Sequence, residues 1–108
     1  MANQYVRLLD ARPLSANLTC DREKVLDLGA YRILVVDPRV QVTGQGNLIL
    51  ETSAVNEEGT WRTILTVALN APAGMSEVVT FLRYVRWRTD NNVTGSPNVV
   101  VDIVAKQG

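Results

Sequence analysis

Three arginines stand among three aromatics in Phe81-Leu82-Arg83-Tyr84-Val85-Arg86-Trp87-Arg88, the densest chemical feature of the sequence. Guanidinium groups interleaved with rings can hold single-stranded nucleic acid, the rings stacking on bases and the charges meeting phosphates. Yet the 11 Lys and Arg are matched by 11 Asp and Glu, without the basic excess that phosphate neutralisation requires. The expectation is a buried strand in which Arg83, Arg86 and Arg88 pair with carboxylates of adjacent strands, and no nucleic-acid partner.

Other candidate chemistry is equally thin. Cys20 and the Ser and Thr hydroxyls have no His to activate them, because the sequence contains none. Lys24 and Lys106 offer a base, but no Ser-x-x-Lys spacing occurs. Glu57-Glu58 could act as paired carboxylates, but the following Gly59 makes a solvated turn the expectation. Thr43-Gly44-Gln45-Gly46-Asn47 lacks the Lys and the helix of a phosphate loop and reads as a hairpin turn. Asp10, Asp21, Asp27 and Asp90 do not alternate within one loop as calcium ligands do. No catalytic residue, metal or cofactor is expected. One binding alternative stays open. Trp61 or Trp87 could serve as a flat platform for a sugar ring, with Arg and Asp gripping hydroxyls, and the candidates Trp61, Trp87, Glu57, Glu58 and Asn92 are expected in loops at one end of the sandwich.

The elements that must position these residues are strands. Val, Ile and Thr supply 29 of the 108 residues, side chains that fit a pleated surface. Alternation places Trp61, Thr63, Leu65, Val67 and Leu69 on one face, and Leu48, Leu50, Thr52 and Ala54 on another. Residues 31–36 alternate likewise, and Asp37-Pro38 reads as a bulge or edge position before the strand resumes at residues 39–42. Longer strands are expected over 77–89 and 98–106, and shorter ones over 5–9, 14–20 and 24–28. Residues 21–28 could instead form one helical turn. Seven to eight strands, with no repeat or linker, predict one all-β domain over residues 1–108, an antiparallel β-sandwich or jelly roll. One Cys cannot form an internal disulfide, no secretory signal is visible at Met1-Ala2-Asn3-Gln4-Tyr5, and no apolar run is long enough to span a bilayer. A protein made in a reducing cytosol, without a membrane partner, is expected.

Several strands are apolar on both faces. With Trp61, Leu65 and Val67 inward, Ile64 points out; with Leu48 and Leu50 inward, Ile49 does. Leu34 and Val36 oppose Ile33 and Val35, and residues 99–105 carry only Asp102 as a charge. Surplus apolar surface suggests burial against another subunit, hence a homo-oligomer. Leu34, Val36, Ile49, Ile64, Val100 and Val104 are the contact candidates, with Arg83, Arg86 and Arg88 as ion-pair donors.

Residues 25–33 (Val-Leu-Asp-Leu-Gly-Ala-Tyr-Arg-Ile), then Leu48-Ile49-Leu50-Glu51-Thr52-Ser53 with Gly59-Thr60-Trp61, then Leu82-Arg83-Tyr84-Val85-Arg86, resemble a shortened discoidin-type, galactose-binding-like jelly roll. The chain has Glu-Glu-Gly where that family often has Asp-Gly, and it lacks the paired terminal cysteines of secreted members. It also resembles the small jelly-roll accessory proteins of phage-like particles, which decorate or cement a shell or join parts of a tail. That resemblance implies a non-enzymatic structural protein of the virion, assembled in the host cytoplasm, with itself and other particle proteins as partners. The alternative is a carbohydrate-binding module.

Overall fold

The described residues form eight strands: β1 (Gln4–Pro13), β2 (Leu26–Asp27), β3 (Ile33–Val42), β4 (Asn47–Ser53), β5 (Arg62–Ala68), β6 (Ser76–Val78), β7 (Tyr84–Thr89) and β8 (Asn98–Lys106). The computed structural model describes residues 3–29 and 31–107. All pairings between these strands are antiparallel, in two four-stranded sheets: sheet A with order β1-β8-β3-β6 and sheet B with order β2-β7-β4-β5. Only β4 and β5 are consecutive strands of one sheet; every other connection crosses between sheets. This interleaving is that of a jelly roll. Among the described residues no helix is long and apolar enough to cross a membrane.

The core lies between the sheets. Leu34, Val36, Val99, Val101, Ile103 and Ala105 of sheet A meet Leu48, Leu50, Val67, Val85 and Trp87 of sheet B. The expected facing of β3 is therefore reversed. Leu34 and Val36 are fully buried and cannot be contact residues, while Ile33 and Val35 face out. The physical reason is Asp37 and Arg39, whose charges hold the odd-numbered face in solvent. Pro38 sits at an edge position without a bulge: the register with β8 runs unbroken through it, and β6 covers β3 only as far as Val36. Its missing N–H therefore costs no ladder bond on that side.

The other corrections concern boundaries. The expected strand over 77–89 is two strands, β6 in sheet A and β7 in sheet B, because residues 79–83 carry the chain from one sheet to the other. The segment over 14–20 forms a single bridge, Thr19 to Arg88, after a turn in which Asn17 takes a positive φ. Its backbone still follows the edge of β7, since Thr89 N–H donates to Leu18 O and Cys20 N–H to Trp87 O. Over 24–28 the strand shrinks to β2, preceded by a 3₁₀ turn at Arg22–Lys24. The glycine segment at 43–47 joins β3 to β4 across sheets and is not a hairpin. Its amide at Gln45 donates to Thr94 O, closing it onto the loop after β7.

On the outer face of sheet A, Asp37 and Asp102 lie directly across from each other, an unfavourable like-charge pair. Two guanidinium groups offset it. Arg7 Nε donates to Asp102 Oδ1 at 2.8 Å, and Arg39 bridges Asp102 and Asp37. Arg7 holds the Asp102 carboxyl below the usual carboxylate range against the opposing effect of burial. A depressed folded-state pKa stabilises fully above the unfolded value of about 3.9 and is lost as pH falls through the folded value. Asp27 beside Arg83 and Asp90 beside Asn47 are depressed in the same direction. The urea midpoint should thus stay level from pH 7 to about 5 and drop below about pH 4. Asp102→Asn should lower the plateau and flatten the drop; an unchanged acid limb would show that Asp102 does not contribute to it.

Candidate functional site

The arginines of β7 are consumed by sheet B itself. Arg86 is 8% exposed, with Nε donating to Glu51 Oε1 at 3.0 Å and Nη1 to Glu58 Oε1 at 2.9 Å. Arg88 Nε donates to the other Glu51 oxygen at 2.9 Å. The result is a ladder, Arg88–Glu51–Arg86–Glu58, laid across β7 and β4 and into the β4–β5 loop. Arg83 stands apart at the end of β7, in a solvent-exposed two-bonded pair with Asp27 at 2.9 and 2.8 Å. The expected pairing of this cluster with neighbouring carboxylates is what the structure contains.

Trp61 closes the ladder, with the Arg86 guanidinium carbon 4.3 Å from its ring centroid. Sequence alternation put Trp61 on the inward face with Leu65. A bulge explains the difference. The register with β4 passes from Leu50↔Leu65 to Glu51↔Thr63, leaving Ile64 as the extra residue. Below that point the parity of β5 flips, so Ile64 turns into the core margin and Trp61 onto the outer face. Stacking on Arg86 decides the ring's position, and the buried indole N–H is left without an acceptor among the described residues.

Of the sugar-binding candidates, the structure groups Glu57, Glu58 and Trp61 at the Ser53 end of sheet B. Trp87 is 5% exposed in the core and offers no platform. Asn92 is exposed beyond Thr89, at the opposite end of β7, so the five residues do not share one end of the sandwich. Glu57, Glu58, Asn56, Arg22 and Arg86 border a polar pocket of about 310 Å³ with Cys20 in its wall. Burial pushes the Cys20 thiol up, away from the reactive thiolate. Native protein is expected to react with DTNB only after denaturant is added; stoichiometric labelling within minutes would mean this wall opens.

Of the outward contact candidates, Ile49 and Val104 are half-buried and face out as expected. Val100 also faces out, but at 4% exposure, across from Arg39, it is covered by its own sheet. The surface that sequence reasoning missed lies elsewhere. From Thr63 to Leu82 the only charged residue is Glu77, although charged residues are 20% of the chain. This span includes the exposed apolar side chains Met75, Val79 and Leu82 at 72, 62 and 47%. Two open grooves flank β5. One is bordered by Pro38, residues 65–68 and 71–74, and Ser76, the other by residues 62–64, Thr52 and residues 80–82. The signal was present in the sequence as a charge gap rather than as a motif.

Among solved structures, the chain is similar in fold to the SPBc2 prophage-derived protein YomS, with a TM-score of 0.65 at 11% identity over 96% of this chain and 92% of that one. No protein-family model and no curated protein matches the sequence.

Proposed function

We propose that this chain is a non-catalytic structural protein, a self-associating component of a phage or virus particle that decorates or cements the capsid or serves as a tail accessory. The observation that carries this reading is the charge-poor side spanning Thr63–Leu82, where Met75, Val79 and Leu82 stand exposed. Cores of protein interfaces are depleted of charge in this way, and soluble monomers rarely leave such patches uncovered. Arg83, Arg86 and Arg88, expected as ion-pair donors to another subunit, are instead engaged with Asp27, Glu51 and Glu58 of their own chain, so the contact is assigned to the charge-poor side and not to them. The likeness to a prophage-derived protein suggests the kind of assembly. Particles purified from the native source and analysed by mass spectrometry should contain the chain at a fixed ratio to the shell or tail subunits. Recovery only in the particle-free fraction would overturn the reading.

A second reading, carbohydrate binding, is favoured by the polar pocket beside Glu57, Glu58 and Asn56. It predicts glycan-array signal that Glu57→Ala abolishes. Silence across the array would remove it.

A further inference from the structure

We infer that the edge of β5 pairs antiparallel with β5 of a second copy, joining the two B sheets into one eight-stranded sheet across a two-fold axis. This rests on the structural reading above and names its partner and surface.

A sheet edge carries unpaired N–H and C=O groups, and soluble proteins blunt such edges with shortness, bulges, proline or charge. Three of the four edges here are blunted. β2 has two residues and β6 three. β1 has ten, but two register shifts interrupt it, Pro13 ends it, and Arg7, Asp10 and Arg12 stud it. β5 has none of these protections beyond its bulge at Ile64. From Thr63 to Ala68 it has no charge and no proline, and four of the six residues are β-branched. Its only strand partner is β4, and among the described residues its outer amides and carbonyls find no other hydrogen bond. Thr63, Thr66 and Ala68 are exposed.

The segment is also self-complementary. A two-fold axis at Thr66 sets Thr66 against Thr66, Leu65 against Val67 and Ile64 against Ala68 of the second copy. Leu65 meets Val67 on the inner face and the two Thr66 hydroxyls meet on the outer, both favourable cross-strand pairs, and the Ile64–Ala68 positions, at the bulge, mark the ends of the paired stretch. Arg62, the nearest charge, falls outside the paired stretch, so like charges do not meet. An isologous contact of this kind closes on itself and yields a dimer rather than a fibre. The exposed Val79 and Leu82 beside the second groove extend the contact beyond the strands themselves.

Thr66→Cys tests the register directly. Residues opposed across antiparallel strands have Cα atoms about 4.5–5.5 Å apart, within the span of about 4.4–6.8 Å that a disulfide bridges. Mild oxidation should convert Thr66→Cys into a reducible dimer, whereas the exposed control Asn92→Cys stays monomeric on a denaturing gel; the native Cys20 is buried. Thr66→Lys should weaken the wild-type dimer at least tenfold by sedimentation while the circular dichroism spectrum is kept. A monomeric wild type, or cross-linking no better than the control, overturns the pairing. If such a protein still co-purifies with particles, the structural role stands without this dimer. Cross-linking together with absence from particles supports the pairing and overturns the role.

Discussion

Glu51→Ala is expected to destabilise the protein by about 3–5 kcal/mol, because it strands a buried guanidinium. The Glu51 side chain is 8% exposed and the Arg86 side chain 10%, so neither charge has bulk water as an alternative partner. Glu51 also holds Arg88, and Glu58, the remaining carboxylate on Arg86, is 86% exposed and screened. For a domain whose total stability is on the order of 5–15 kcal/mol, the loss is a large share. Urea unfolding followed by tryptophan fluorescence measures it. The double variant Glu51→Leu/Arg86→Leu should recover most of the loss, since removing both charges also removes the cost of burying them. A single-variant loss under about 1 kcal/mol would place the ladder among ordinary surface ion pairs.

Gly46→Ala should cost roughly 3 kcal/mol, joining left-handed strain to a backbone collision. Gly46 has a φ of +90°, and a Cβ there would lie 2.6 Å from Val93 N and 2.7 Å from Val93 Cα. Those atoms belong to the loop after β7, which cannot yield without disturbing the Gln45–Thr94 bridge. Gly59 provides the comparison, with a φ of +83° and open space where its Cβ would go. Gly59→Ala should therefore show the conformational strain alone, about 1–2 kcal/mol. Thermal or urea unfolding of the two variants side by side separates the effects; equal losses would mean that the approach of the two loops is soft. The 43–47 segment thus needs glycine so that two stretches of backbone can touch, with no room between them for a phosphate.

What could be read from the sequence follows from where its pattern had a phase. Strands β4 and β8 were legible because Glu51 and Asp102 mark their outer faces among apolar neighbours, and the neutrality of the chain already pointed to Arg–carboxylate pairing around Trp87. On β3 both faces are apolar through residue 36, so alternation has no sign there. Asp37 and Arg39 carry that sign, since charges that require solvent place Val35 on the outer face with them. Trp61 was misplaced because a one-residue bulge at Ile64 carries no sequence signature, yet inverts every side chain before it. The split of 77–89 between two sheets was equally hidden, since Val79, Phe81 and Leu82 suit a strand whether or not a partner lies beside them. Of the candidate surface, composition contained the absence of charge, but only the fold showed that this span borders an edge strand.

The place of β8 also bears on the order of events during folding. β1 and β3 never pair with each other; the last of the eight strands must slot between them. Until it arrives, sheet A is two separate fragments, each with an open flank that the most apolar strand of the chain would fill. Contacts this distant in sequence close slowly, in milliseconds to seconds for all-β domains. During that interval the vacant slot is also open to the equivalent strand of a neighbouring chain, which competes with the tethered β8 only at high protein concentration. Crowded synthesis would then yield exchanged dimers alongside correctly closed molecules, and slow release of each chain would favour the latter.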